Sequence, residues 1–205
     1  MQGKFITLEG IEGSGKSTSL KDITDILNGK SIKFITTKEP GGGPLGKDLR
    51  AMLLNKDSNI SPDVELLLMM ADRKNHLDNV VMPNIENGTW VVSDRYLDST
   101  YAYQGGGREI DSSLIDNLST HLNFPIPNLT LLFDLPPEIA LDRAKQRSSL
   151  DRFEREPLDF HTRIRKTYIE LASNHSDRFK IIDSSANLQE VKEQVTNAIL
   201  TFLND

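Results

Sequence analysis

Short apolar runs alternate with longer stretches of helical periodicity along nearly the whole chain. Phe5–Leu8, Ile32–Ile35, Trp90–Val92, Leu129–Phe133 and Phe179–Ile182 are too short for helices and continuous enough for buried strands. Behind the first run, Leu20, Ile23 and Leu27 recur at helical spacing. Ser61-Pro62 supplies a cap and a first-turn proline for a long helix that Asn87-Gly88 closes. Val64, Leu67, Leu68 and Ala71 are its expected apolar face, and Pro83 should bend it. Leu114, Leu118 and Leu122 predict a further helix, as do Pro137 to Arg147 with the small residues Ala140 and Ala144. Asn187 and Glu190 form a capping pair ahead of Val191, Val195, Ala198 and Phe202. The alternation predicts an α/β fold: a five-stranded parallel sheet with helices on both faces, in one domain spanning residues 1–205.

Between the first strand and the first helix lies Gly10-Ile11-Glu12-Gly13-Ser14-Gly15-Lys16-Ser17-Thr18, which satisfies the phosphate-loop pattern G-x-x-x-x-G-K-[ST] in the setting that pattern requires. The glycines let successive N–H groups converge with a helix N-terminus on phosphate oxygens. Lys16 adds a mobile positive charge and Ser17 a hydroxyl for Mg²⁺. Residues 10–18 are therefore the expected ATP-binding loop.

Composition narrows the partners. The net charge of −6 argues against a nucleic-acid polymer, whose binding leans on a basic face, but a single nucleotide needs only local cations. There is no cysteine, and the opening residues do not resemble a signal peptide, so a cytoplasmic location is expected. No apolar run approaches the ~18 residues that span a bilayer, so no membrane partner is expected. His76, His121, His161 and His175 lack metal-ligand spacing and read as structural or exposed.

Further charged clusters follow the other strands. Strand 2 runs into Thr37-Lys38-Glu39-Pro40 and three glycines, and strand 3 into Ser93-Asp94-Arg95-Tyr96, which places both at the carboxyl edge of the sheet beside the phosphate loop. Ser99 to Arg108 adds a carboxamide, hydroxyls and aromatic rings able to read a base and sugar. Gly105 to Gly107 and the charged stretch Arg147 to Glu156 are expected in mobile loops. Tyr101 and Tyr103, two apart in extended chain, should face opposite ways, so at most one meets substrate.

In order along the chain, Gly10–Thr18, Thr37–Gly42, Ala71-Asp72-Arg73, Asp94-Arg95-Tyr96, Tyr103-Gln104-Gly105-Gly106 and Leu150-Asp151-Arg152 resemble the thymidylate kinase family. The likeness is strongest to bacterial members whose phosphate loop has no cation in its variable positions and whose lid carries arginine instead. The resemblance implies a P-loop, nucleoside-monophosphate-kinase-like fold, Mg-ATP as donor, thymidine monophosphate (dTMP) as acceptor, a homodimer, and a lid at about residues 147–157. Two positions depart from the family pattern. Met69 stands where a phenylalanine often stacks on thymine, and Lys38 replaces a common arginine.

Joining ATP to a nucleotide monophosphate brings several negative charges together, so cations are required from more than one loop. Lys16 should hold the β- and γ-phosphates, Arg95 should sit between donor and acceptor, and Arg152 should close from the lid, with Arg147 as a second ATP contact. Ser17 and Asp94 are the expected metal-binding residues. Arg50 is the expected clamp on the acceptor phosphate, with Glu39 orienting it or the metal-bound water. For the base, Arg73 donates to O4, Gln104 and Thr100 accept from N3–H, Met69 lies against the ring, and Tyr103 packs under the sugar. The alternatives are a kinase for another pyrimidine nucleotide or deoxynucleoside, and a GTP-dependent switch. Asn55-Lys56-Asp57-Ser58 lacks the final aspartate of the guanine-reading N-K-x-D motif, and a switch needs no second substrate loops.

Overall fold

A computed structural model describes residues 2–147 and 150–204, with Arg147 described through its backbone alone. Five parallel strands, β1 (Phe5–Glu9), β2 (Phe34–Lys38), β3 (Trp90–Asp94), β4 (Leu129–Asp134) and β5 (Phe179–Asp183), form one sheet in the order β2-β3-β1-β4-β5. The predicted strands are all present. Each runs one to three residues past its apolar run onto a polar residue, Glu9, Lys38, Asp94, Asp134 or Asp183, and β2 starts at Phe34 rather than Ile32.

β1 is central and has a different role on each face. Ile6 and Leu8 enter a core with Ile23 and Leu27 of helix α1 (Lys16–Gly29) and with Val195 and Ile199 of α9 (Leu188–Asn204). Phe5, Thr7 and Glu9 alternate onto the opposite face, all buried. There Phe5 packs edge-on to Tyr96, with ring centroids 4.8 Å apart, and Thr7 bonds Thr130 at 2.8 Å. Asn187 caps α9, its Oδ1 accepting from the N–H groups of Gln189 and Glu190 at 3.0 Å. No helix of the described residues is long and apolar enough to cross a membrane.

The long predicted helix is present, and Ser61 Oγ caps it, accepting from Val64 N at 3.4 Å. It comprises α3 (Pro62–His76), a π-helical turn at Leu77–Val81 and α4 (Met82–Glu86), so the irregularity precedes Pro83. Its inward face also differs from expectation. Glu65, Leu66, Met70, Asp72, Arg73 and His76 are buried, while Val64, Leu67 and Ala71 are exposed. Four of the inward residues are polar and find partners in the site, so the hydrophobic pattern alone selects the wrong stripe. In α6 (Ser112–His121) the same happens on a smaller scale: Ile115 is the buried residue and Leu114 is exposed.

Gly105–Gly107 do not form a mobile loop. They end a π-helical turn, Tyr101–Gly107, that follows α5 (Leu97–Thr100) and packs on α8 (Leu158–Asn174). A Cβ on Gly106 would lie 2.1 Å from Thr167 Oγ1, and one on Gly107 would lie 2.5 Å from the Phe160 ring. The glycines permit a close helix contact rather than flexibility.

Candidate active site

The phosphate loop leaves β1 at its carboxyl end and enters α1 at Lys16. Gly10, Gly13 and Gly15 all have left-handed φ, at 134°, 76° and 91°. A Cβ on Gly13 would lie 2.3 Å from the carbonyl oxygen of Ala140, so glycine is required there by space as well as by conformation. The first turn of α1 carries no acidic residue, which leaves its N-terminal dipole open to an anion.

A cavity of about 480 Å³ opens over this loop and extends along the sheet edge. Lys16, Lys38, Arg50, Arg73, Arg95 and Arg143 line it, interleaved with Glu12, Glu39, Asp72, Asp94, Asp151 and Glu154. Its size is that of a small-ligand pocket. The Lys16 ammonium turns back on the loop, donating to the carbonyls of Gly10 (2.8 Å) and Ile11 (2.9 Å) and to Ser14 Oγ (3.3 Å). Burial, reinforced by nearby Arg95, lowers its pKa to about 8. Ser17 and Thr18 line the cavity, whereas the Ile11 side chain joins the core and Gly10 offers only its carbonyl.

Arg95 follows β3 with φ at 73°, an uncommon conformation for a residue with a side chain. It donates to Glu12 Oε1 (2.7 Å), Tyr103 Oη (3.0 Å), Ser99 Oγ (3.1 Å) and Tyr168 Oη (3.2 Å). Tyr103 Oη donates in turn to Glu12 Oε2 at 2.5 Å. Burial pushes the Glu12 carboxyl up, but Arg95 and Lys16 outweigh it and hold it below its ordinary range. Asp94 Oδ1 is buried and has no hydrogen-bond partner. An orphaned carboxylate oxygen on the cavity wall that also holds Ser17 suits a divalent cation. No cluster of three or more His, Cys, Asp or Glu side chains able to hold a metal occurs among the described residues.

Beyond Arg95 the cavity continues to Met69, Arg73, Thr100, Tyr103 and Gln104. Arg73 is fully buried and held at three points: Glu39 Oε2 (2.7 Å), Thr100 Oγ1 (2.7 Å) and the Tyr96 carbonyl (2.8 Å). Glu39 therefore orients Arg73, and through its other oxygen His76 at 2.8 Å, rather than Arg50. Arg50 reaches the cavity from α2 (Gly46–Leu54), a helix the apolar pattern did not announce, and donates to the Pro40 carbonyl at 2.8 Å. Thr100 already accepts from Arg73, so Gln104 is the freer acceptor for a base.

Two expectations need correction. Arg152 does not line the cavity: its guanidinium pairs with Glu65 at 2.7 Å and donates to the Leu53 carbonyl at 2.8 Å, because a buried carboxylate outcompetes solvent for it. Arg143, from α7 (Pro137–Arg147), lines the cavity instead. Tyr101 and Tyr103 do diverge, with Tyr101 donating to Asp116 outside the site, but they do so in a helical turn and not in extended chain. The Arg147 side chain and residues 148–149 of the expected lid lie outside the described residues.

Sequence reasoning passed over Glu9 and Tyr168, and placed Ser99 only within the cluster that runs to Arg108. Glu9 Oε1 accepts from Tyr96 N (2.7 Å), and Oε2 accepts from Ser99 Oγ (2.6 Å) and Tyr168 Oη (2.9 Å). When Glu9 is ionised both hydroxyl protons can go to it, which leaves their lone pairs for Arg95. The only sequence signal was a carboxylate ending an apolar run. Burial, with Asp98 adding, pushes the Glu9 pKa up from 4.5 to about 7. The folded state thus keeps this proton while the unfolded chain loses it, so stability falls as pH rises through that window. Relative to a Glu9→Gln variant, the wild type should lose on the order of 1–3 kcal/mol between pH 4.5 and 7. Urea unfolding of both proteins at four pH values checks this; parallel curves would remove the buried proton from the account.

A glycine loop at a helix N-terminus, an orphaned carboxylate at the neighbouring strand end and a second cation-lined pocket define a P-loop phosphotransferase for nucleotides. The thymidylate kinase family model matches residues 8–195. The thymidylate kinase of Carboxydothermus hydrogenoformans is 46% identical over 192 residues, covering 93% of this chain and 94% of that protein. Those of Nitrosomonas europaea and Methylobacillus flagellatus are 42% and 39% identical, covering 100% and 98% of this chain and 95% and 99% of theirs. The chain belongs to the thymidylate kinase family.

Proposed function

We infer that this chain transfers the γ-phosphoryl group of Mg-ATP to thymidine monophosphate, giving the diphosphate and ADP. The observation that carries the reading is the single cavity joining the phosphate loop, through Arg95, to the Arg73–Gln104 pocket. Two nucleotides laid end to end along it would meet at Arg95. Lys16 would exchange the loop carbonyls for the donor's β- and γ-phosphates, and α1 would add its N-terminal N–H groups. Mg²⁺ would be held by Ser17 and Asp94, and when bound it neutralises charge on the transferring phosphate. Arg50 would clamp the acceptor phosphate.

In the acceptor pocket Arg73 is a pure donor, which suits the O4 of thymine and opposes the amino group of cytosine. Gln104 would accept from N3–H and Met69 would lie against the ring. Tyr103, buried beside Glu12, would pack under the sugar. The segment from Leu150 to Pro157 is the lid in this reading. Arg152 would leave Glu65 to approach the phosphates, with Arg143 already in place. Exposed Val64 and Leu67 on α3 support the homodimer the family implies.

ADP production with Mg-ATP and each of thymidine, deoxyuridine, deoxycytidine, uridine and guanosine monophosphates tests the assignment. The expected result is a strong preference for thymidine monophosphate. Equal rates with every acceptor, or hydrolysis of ATP indifferent to acceptor, would overturn it.

A further inference from the structure

Beyond holding Arg152, Glu65 takes no part in the reaction described above, yet it is 1% exposed and meets Gln104, Arg108 and Arg152 beside the acceptor pocket. Its two oxygens share one donor, Arg108 Nε–H, at 3.3 Å from Oε1 and 3.2 Å from Oε2, and otherwise have different partners. Oε1 accepts from Gln104 Nε2 at 2.7 Å. Oε2 pairs with Arg152 at 2.7 Å and with Arg108 at 3.1 Å. Arg108 is itself held from the other side by Glu156 at 2.6 Å.

A carboxylate can only accept, so Gln104 must show it the amide nitrogen. The carbonyl oxygen of Gln104, which has no hydrogen-bond partner among the described residues, is then left for the cavity that this side chain lines. We propose that Glu65 is a positioning residue for acceptor selection, fixing the Gln104 amide so that the pocket meets a base that donates from its ring N3. The proposal rests on the reading that Gln104 meets the base.

The division of oxygens makes the consequence of Glu65→Gln specific. Arg108 meets Oε2 through both Nε (3.2 Å) and Nη2 (3.1 Å) and Oε1 through Nε alone (3.3 Å), so with or without Arg152 the new carbonyl stands at Oε2 and the new amide nitrogen where Oε1 was. That nitrogen donates, and Gln104 turns over to accept from it. The pocket then meets the base with an N–H, which suits the bare N3 of cytosine and opposes that of thymine.

The test is kcat/KM for thymidine and deoxycytidine monophosphates at saturating Mg-ATP, in the wild type, Glu65→Gln, Glu65→Asp, Gln104→Leu and the Glu65→Gln/Gln104→Leu double variant. Gln104→Leu should lower the thymidine-to-deoxycytidine ratio about tenfold. Glu65→Gln should lower it about ten- to a hundredfold, with the deoxycytidine value rising in absolute terms, and should add nothing in the Gln104→Leu background. Glu65→Asp keeps the charge for both arginines but is one methylene too short for Gln104. It should lower the ratio without the deoxycytidine gain, and it serves as the test if Glu65→Gln does not fold. A loss of active protein cancels in the ratio, so a merely structural role would leave it unchanged. A ratio within about twofold of wild type in both Glu65 variants, with Gln104→Leu reduced, would overturn the proposal and spare the pocket assignment. An unchanged ratio in Gln104→Leu would overturn both.

Discussion

Replacing Arg95 with methionine is expected to lower kcat for thymidine monophosphate phosphorylation by about a thousandfold, with a much smaller change in either KM. The guanidinium sits at the junction of the two pockets, and each of its four hydrogen bonds goes to a side chain rather than to the backbone. Three of those acceptors are neutral hydroxyls, and Glu12 is the one carboxylate among them, with Asp94 adding its charge from nearby. A phosphoryl group in flight, with charge spread over its equatorial oxygens, is a stronger partner than one shared carboxylate. Methionine keeps much of the bulk against the Tyr103 ring, over which Arg95 Cζ lies at 4.9 Å, while removing the charge. It also releases Glu12, whose carboxyl Arg95 holds below its ordinary range, into a site that must accept phosphates. Arg95→Lys should recover little, because one ammonium cannot span acceptors arranged around a planar fork. Steady-state kinetics with each substrate varied in turn checks both variants. A fall in kcat below about tenfold would place the developing charge elsewhere, with Arg143 as the next cation on the cavity wall.

How much of this site could be read beforehand follows from how its parts are distributed along the chain. The phosphate loop was legible because its nine residues act through contiguous backbone, and contiguity is what a motif records. Strand number and order of clusters were legible for a related reason: β1, β3 and β4 are apolar runs buried on both faces, and the edge strands β2 and β5 keep short apolar runs beside them. Glu65 and Glu9 were not legible, since each works through partners 39 to 159 residues away in sequence. α3 shows why periodicity fails there. Its inward stripe carries Glu65, Asp72, Arg73 and His76, and a count of apolar residues moves the stripe onto Val64 and Leu67. The glycines at 105–107 misled in the opposite direction, reading as slack when they serve close packing on Thr167 and Phe160. Arg152 illustrates a third limit. The motif names the residue, but the partner it meets is Glu65, which lies far off in sequence on α3.

Lys16→Ala should lower kcat/KM about a thousandfold and leave the protein folded, and the second half of that expectation separates it from a packing defect. A buried lysine whose pKa has fallen to about 8 is costly to keep charged. Its folded-state pKa lies below the unfolded value of 10.5, so that cost is fully present below pH 8 and is relieved as pH rises from 8 to 10.5. The ammonium offsets part of it through the carbonyls of Gly10 and Ile11, and removing the side chain removes cost and compensation together. The melting temperature without nucleotide should therefore stay within about 4 °C of wild type, equivalent to ~1 kcal/mol in a chain of this size. Mg-ATP is expected to reverse the balance in the wild type, phosphate oxygens taking the place of the two carbonyls and restoring the proton's affinity. At a hundred times its Kd, ATP stabilises a folded protein by about 2.7 kcal/mol, and a variant whose Kd has risen a hundredfold gains only ~0.4 kcal/mol from the same concentration. Thermal melts of both proteins with and without Mg-ATP should thus coincide in its absence and separate in its presence. If the variant instead melts far below wild type before any nucleotide is added, Lys16 is a structural tie across the loop, and its loss of activity says nothing about phosphate.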